Sequence, residues 1–427
     1  MALGGGTFTT YNKLLPGAYY NVVNASRATS TLSARGVVAL PIALKWGDSG
    51  VTTVTADDFT NNTMSILGYS YEADEMLKLR EVFKHAQKVH IYNLADGDGA
   101  AQASCANATA KKAGTRGNDL KLVVQKNIDD DSLYDVSLYM GTVRMFAQTV
   151  KTATELKENA FVTWKDAALS VTAGLAFSGG ADGATDETSY QNALNALEAY
   201  NFNVLVCPDA SVIDIYVAFT KRMRDDVGVK FQTVVPEVTN ADYYGIVQVP
   251  EDQANTVCWV AGALAGCAIN RSCTNKLYDG EQTITCTRTQ GELEQCIRTG
   301  VFMFHRVEDD IRVLMDINSF VTYTETEGDL LSNNQTIRVA DQCANDDAAA
   351  FNQIFLGNVQ NDDSGRISYW NNIVTRRNEM AAMRAIEPFD TATLTVKAGE
   401  KKGTVVVSNA IRVIGTMEQL YMTTEIN

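Results

Sequence analysis

The side chains able to do covalent or metal chemistry are few in this sequence, and their spacing argues against a reaction centre. The cysteines are Cys105, Cys207, Cys258, Cys267, Cys273, Cys286, Cys296 and Cys343. Five of them fall between Cys258 and Cys296, at gaps of 9, 6, 13 and 10 residues. Metal-binding thiolates usually come as C-x-x-C pairs, because two neighbouring ligands must share one tetrahedral ion, and no such pair occurs. These thiols are therefore expected to be free, several of them in the core, as in a reducing compartment. His85, His90 and His305 are scattered, and neither G-x-S-x-G nor H-E-x-x-H is present. The loop Gly179–Asp186 offers Asp182 and Asp186. It lacks the ligand spacing and closing Glu of a calcium loop and the G-K-[ST] end of a phosphate loop. A glycine turn entering a helix, with Asp186 or Thr188 as N-cap, accounts for it. Asp309-Asp310 reads as a solvated strand entry. The expectation is no catalytic residue, no metal and no cofactor.

One charged constellation remains. Arg366, Arg376, Arg377 and Arg384 lie on a helix expected over Arg366–Ile386, with Glu379 as its mid-helix acid. At about 100° per residue, Arg366, Arg377 and Arg384 fall within about 20° of one another. That stripe either faces an acidic partner or is a solvated face, with Trp370 and Ile373 packing on the same side. Asp341, Asp346 and Asp347 on the preceding helix offer a third possibility, the pairing of acidic and basic surfaces between subunits.

The elements that hold these residues belong to a large, ordinary globular chain. Its 427 residues exceed what one core normally supports. Hydrophobic residues make up 45% and charged residues 20%, which excludes a disordered chain. The net charge of −15 argues against a nucleic-acid binder. The longest apolar run, Val257–Ile269, is shorter than the ~20 residues of a membrane span, so no membrane insertion is expected. The N-terminus shows no basic segment followed by an apolar one, so no signal peptide is expected.

Residues 1–30 read as an arm, with β-prone Thr7–Tyr11, a Pro16-Gly17 turn and a second strand at Tyr19–Val23. Residues 31–95 read as a small α/β unit, with a strand at Gly36–Leu44, a helix at Asp74–Ala86 and a strand at Lys88–Leu94. Residues 96–185 carry short β-branched and aromatic runs between turns, the pattern of a β-sandwich or barrel. Residues 186–285 alternate helix and strand: helices at Tyr190–Tyr200, Val212–Asp226 and Thr256–Ile269, strands at Phe202–Cys207, Lys230–Val235 and Tyr244–Val249. This predicts a doubly wound, mostly parallel sheet. Residues 286–414 add a helix at Glu292–Gly300, strands at Val301–His305 and Arg312–Asp316, and helices at Arg338–Leu356 and Arg366–Ile386. They end on strands at Leu394–Lys397 and Thr404–Ile414, and residues 415–427 form a C-terminal arm with a strand at Gln419–Ile426. The fold class expected is a multidomain α/β chain: a central doubly wound region, a β-sandwich or barrel domain inserted or adjacent, and strand-forming terminal arms.

Three motifs, in order along the chain, resemble contractile phage tail sheath proteins. One is the LPGAYYN turn at Leu15–Asn21. A second is SGGADGATDETSYQNALNALEAYNFNVLVCP over residues 178–208, a Gly-Gly-x-Asp-Gly loop, a YxxALxxLE helix and a strand ending in proline. The third is FNQIFLGNVQNDDSGRISYWNNIVTRRNEMAAMRAIEPF, ending at Phe389. The likeness covers nearly the whole chain and is greatest to the PBSX-like prophage group.

The resemblance implies a structural subunit, not an enzyme. It implies homo-oligomeric helical rings of six copies around a tail tube, with baseplate and tail terminator proteins at the ends. It implies no direct contact with nucleic acid or membrane. The particle would be assembled in the bacterial cytoplasm and released by lysis, as a phage or a headless bacteriocin. Terminal arms that exchange strands between subunits are also implied, at Phe8, Thr9, Thr10, Tyr11, Tyr19, Tyr20 and Val22 in front and Leu420, Tyr421, Met422 and Thr423 behind. Arg366, Arg376, Arg377 and Arg384 would then be tube-facing. The alternatives are another tail or baseplate component, or an enzyme with its ligand site near Pro208 or Pro236.

Overall fold

A computed structural model describes residues 32–426. The chain enters on β1 (Val37–Ile42) and β2 (Val51–Thr55), then α1 (Ala56–Asn61), α2 (Thr63–Leu67), α3 (Leu77–Phe83) and β3 (Lys88–Asn93). Next come β4 (Ala108–Ala110), β5 (Leu120–Lys126), β6 (Tyr134–Met140), β7 (Val143–Val150), β8 (Val162–Trp164) and β9 (Thr172–Ala176). Helix and strand then alternate through α4 (Glu187–Leu197), β10 (Val204–Val206), α5 (Ile213–Lys221), β11 (Gln232–Val235), β12 (Ile246–Gln248) and α6 (Val257–Gly266). The C-terminal part holds α7 (Gln290–Arg298), β13 (Phe304–Val307), β14 (Asp310–Val313), α8 (Asn334–Ala350), α9 (Asp363–Ala382), β15 (Thr395–Ala398) and β16 (Val405–Ser408).

The central sheet has the order β12-β11-β10-β1-β3-β2, parallel except for β2, which runs antiparallel to β3. The two α/β segments read as separate units at 31–95 and 186–285 therefore share one sheet, because β1 pairs with β10 as well as with β3. The side chains alternate as a two-sided sheet requires. Val38, Leu40, Val204, Val206 and Val234 face α3 and α6, while Ala39, Leu205 and Val235 face α4 and α5. Helix α6 is apolar on all sides because it is enclosed. Gly262 lets it lie against α3, since a Cβ there would come within 2.3 Å of the Val82 carbonyl oxygen.

The chain leaves this sheet after β3, builds the β-sandwich and returns before α4. A four-stranded antiparallel sheet, β7-β6-β5-β9, stands with the β4–β8 pair. Leu120, Leu122, Val136 and Leu138 continue the same buried cluster as Trp46 and Ile42, so the sandwich is packed onto the central body.

The glycine-rich loop at 179–183 forms the neck between them. Gly183 N–H donates to the Ala95 carbonyl at 2.7 Å and Ala184 N–H to Asp98 at 3.0 Å. Asp182 accepts from the backbone and hydroxyl of Thr115 at 2.7 and 2.8 Å. The Asp182 carboxylate is thus spent on joining strands. Asp186 caps α4 through the Ser189 N–H at 2.9 Å.

Candidate assembly interface

The C-terminal domain is bolted to the central body through α8. Arg224 makes a two-pronged ion pair with Asp341, at 2.7 and 2.8 Å. Arg338 meets Asp316 at 2.8 Å, with side chains 1% and 0% exposed. Gln232 donates to Asn334 at 2.8 Å, and Asn345 donates to the Lys230 carbonyl at 2.7 Å. Opposite charge this deeply buried fixes geometry, since neither partner can be solvated if the pair opens. Asp341 pushes the Arg224 pKa upward against the opposing effect of burial.

Helix α9 lies beside α8, and this contact overturns the expected arginine stripe. Its buried stripe is Tyr369, Ile373, Arg376, Arg377 and Met380. Arg376 and Arg377 are 3% and 1% exposed and both reach Asp347 of α8, Arg376 Nε at 3.2 Å. The acidic and basic surfaces pair within one subunit. Arg366 is half-buried and engaged by Asp363 and the carbonyl of Asn361. Arg384 lies beyond the helix end, exposed, at φ 60°. The four arginines do not share one exposed stripe, because Arg376 and Arg377 are interior and the helix ends before Arg384. Reversing Arg377 to Glu would set two carboxylates together in that interior. The expected loss is about 3–5 kcal/mol, read by urea denaturation of the purified protein. An unchanged unfolding midpoint would contradict this placement.

The terminal segments behave differently. Phe8, Thr9, Thr10, Tyr11, Tyr19, Tyr20 and Val22 lie outside the described residues. Leu32, where the description begins, packs with Ile411 and Val413 against Val339, Cys343, Met380 and Ile386. Ser33 adds bonds to Asp346. The roots of both ends therefore meet in one apolar node.

From that node the C-terminal segment is held as far as Glu418. Ile414 N–H donates to Ala385 at 3.0 Å, Gln335 Nε2 to the Ile414 carbonyl at 3.0 Å, and Thr274 Oγ1 to Glu418 at 3.0 Å. Beyond it the segment expected as a strand at Gln419–Ile426 has no ladder partner among the described residues. Leu420 is 83%, Tyr421 88%, Met422 77% and Ile426 94% exposed, and Thr423 is exposed as well.

A complementary feature lies on the same domain. Strands β15 and β16 form a two-stranded antiparallel sheet with no third strand among the described residues. It rests on α9 through Leu394, Val396, Val405 and Val407, and Trp370 Nε1 donates to the Leu394 carbonyl at 3.2 Å. Nearby, Phe355, Leu356, Val359 and Tyr369 line a depression of about 470 Å³. Ile354, Leu356 and Ile367 are exposed around it.

The other candidate residues take structural roles. His85 meets Asp279 at 3.0 Å and His90 meets Thr53 at 2.9 Å. Asp310 pairs with Arg312 at 2.6 Å. Near Pro208 and Pro236, an open depression of about 880 Å³ is lined by Ser211, Asp214, Lys221 and Glu237. Beside it, Asp209 accepts from the Ser211 N–H, and Lys221 donates to the Ala241 carbonyl. Among the described residues no cluster of three potential ligands could hold a metal, and no helix is long and apolar enough to cross a membrane. The Asp316–Arg338 hub and the arm-root node carry no motif; they appear only when distant segments are brought together.

Comparison with known proteins accords with this architecture. Four family models match in succession: the N-terminal region of domain III of the tail sheath protein Gp18 at 35–94, the phage tail sheath β-sandwich domain at 96–182, the phage tail sheath central domain at 183–319 and the phage tail sheath C-terminal domain at 326–427. The phage-like element PBSX protein XkdK of Bacillus subtilis (strain 168) is 29% identical over the whole of both chains. A sheath tail protein from Desulfitobacterium hafniense has a solved structure at 30% identity and TM-score 0.78, covering 95% of this chain and 99% of its own. One from Listeria innocua matches at 30% identity and TM-score 0.77, with coverage of 92% and 96%. The chain belongs to the family of contractile phage tail sheath proteins, and its type is PBSX-like.

Proposed function

We propose that this chain is the repeating mechanical subunit of a tail sheath. Copies polymerise around a tail tube, and a change in their packing drives the tube through a bacterial envelope. The observation that carries the reading is the tail at 419–426, exposed and without a strand partner among the described residues, on the same domain as a two-stranded sheet with no third strand among them. Among the described residues, both backbone edges of β15–β16 and the tail lack a strand partner, and a second copy can supply one to each. The tail of one subunit adds to the β15–β16 sheet of its neighbour, and the N-terminal residues Phe8–Tyr11 and Tyr19–Val23 add in the same manner. Eight residues as a strand span about 26 Å, enough to bridge neighbouring domains. Backbone ladders hold subunits together without fixing the bodies they connect, so the bodies can swivel between two packings.

The polymer is built from one chain in six-subunit rings, with the tube inside it and baseplate and terminator proteins at its ends. It forms in the bacterial cytoplasm and leaves at lysis. The cysteines, all free, fit manufacture in a reducing compartment. The subunit has no catalytic part, and the work comes from the difference between two packings. Electron microscopy of the purified chain tests this. Long striated cylinders are expected; a species that stays monomeric in sedimentation at every concentration overturns it.

A further inference from the structure

Below the arm roots, the chain leaves α6 at Gly266 and runs through residues 267–274 before entering the Asp316 hub. This loop touches the node at Leu32 and the C-terminal segment. Ile269 packs in the node that holds Leu32, Ile411 and Val413. Asn270 Nδ2 donates to the Met383 carbonyl at 2.8 Å, and Thr274 Oγ1 to Glu418 at 3.0 Å. Cys273 N–H donates to Asp316 at 2.8 Å.

The loop also carries two thiols that converge. Cys267 N–H donates to the Ala263 carbonyl at 3.0 Å, and the Cys273 thiol points to the same oxygen at 3.7 Å. Cys273 is fully buried, while Cys267 is partly exposed at the loop mouth. The Cys267 Sγ lies 3.5 Å from the Arg271 carbonyl, to which Arg338 Nη2 donates at 3.2 Å. The two thiols are in hydrogen-bond contact. That contact, with the charges of Arg338 and Arg35, draws Cys267 down to about 7 against the opposing effect of burial. The same contact, then burial, holds Cys273 well above the ordinary thiol range. An independent feature marks the spot. Arg338 is buried, and its Nε and Nη1 have no hydrogen-bond partner, so an enclosed guanidinium charge with open donors lies beside both thiols. Asp316 already answers this charge through Nη2, and a Cys267 thiolate is a second anion close to the open donors.

We propose that Cys267 and Cys273 are a redox pair, converted by a small-molecule disulfide of the glutathione class into an internal disulfide that locks the loop beneath the C-terminal segment. The Cys267 thiolate attacks one sulfur of the oxidant, whose S–S bond breaks and releases one thiolate. Cys273 then attacks the Cys267 sulfur and gives its proton to that released thiolate. The second half of the oxidant leaves as a thiolate and takes up the proton lost earlier by Cys267. Two protein thiols are oxidised and one small disulfide is reduced to two thiols. The remaining cysteines are less suited: burial pushes Cys207 and Cys258 up to about 12 and raises Cys286 and Cys296. The pair is reduced when the protein is made and meets an oxidising medium on release.

The test is to treat the full-length protein with oxidised glutathione at neutral pH and follow intact mass and peptide maps. The expected product has lost two hydrogens and two of its eight thiols. A peptide joins positions 267 and 273, and dithiothreitol reverses the change. Cys267 is modified roughly ten-fold faster than Cys296. Cys273→Ser stops at a glutathione adduct on Cys267, and Cys273→Ala, which leaves no polar atom in the site, does the same. Amide exchange over residues 411–418 slows on oxidation and recovers on reduction. An adduct that persists on the intact chain, equal rates at Cys267 and Cys296, or exchange at 411–418 that ignores the redox state each overturns the proposal.

Discussion

Removing residues 419–427 abolishes cylinder formation and leaves the subunit folded. The side chains removed are almost fully exposed, and the bonds that secure the segment end at Glu418. Surface residues without buried contacts change stability by about 0.5 kcal/mol or less, so the unfolding midpoint stays in place. Under the proposed strand exchange, assembly falls because each lost strand leaves a β15–β16 edge without its added strand at every junction of the lattice. Circular dichroism and urea denaturation read the first half, and electron microscopy reads the second. Normal, shortening cylinders from the truncated chain would remove the strand-exchange reading, although not the family assignment. A truncated chain that is unfolded would show instead that the tail packs against its own subunit.

Asp316→Ala gives the largest loss of stability of any single change named here. The carboxylate is fully buried and receives Arg338 Nη2 at 2.8 Å, Cys273 N–H at 2.8 Å and Asn334 Nδ2 at 3.0 Å. Its removal strands the Arg338 charge in the interior and leaves two further donors open. Breaking a buried pair from one side costs about 3–5 kcal/mol, and the stranded donors add to it. Asp310→Ala is the control, since it removes an ion pair to Arg312 of similar length at the surface, where such pairs contribute about 0–1 kcal/mol. Equal effects from the two substitutions would refute the weight placed on burial. Because Asp316 holds α8 to the segment after β14, the same variant should also loosen the arm roots.

The arginines show why a charged stripe is a poor guide to a partner. Periodicity placed Arg377 and Ile373 on one side of α9, and both are buried there. It cannot say whether that side meets water, a tube or Asp347 of α8, because the answer lies on another element. Arg384 was misplaced for a local reason: α9 ends at Ala382, and the chain turns through a left-handed residue. The segment at Gln419–Ile426 shows the opposite case. Its β-prone composition was legible, but a strand exists only when its backbone is paired, and no partner lies among the described residues. The aspartates at 182 and 186 were read as structural, and Asp186 does cap α4. The role of Asp182 at the neck needed Thr115, brought beside it by the fold.

The sequence by itself determined most local elements: the principal strands and helices, that the sheet of the alternating region is mostly parallel, that a β-sandwich or barrel lies inserted or adjacent, and which family the chain resembles. These follow from side-chain period, turn residues and motif order, all of which act over a few neighbours. Only the tertiary structure decided that β1 joins β10 in one sheet, that Arg376 and Arg377 answer Asp347, that Leu32 meets Ile411 and Val413 in one node, and that Cys267 meets Cys273. Each of these depends on residues far apart in the chain, or on a loop whose path is set by what it packs against. Burial is created by such encounters, and burial is what turns an ordinary aspartate, arginine or thiol into a hub, a bolt or a reactive group.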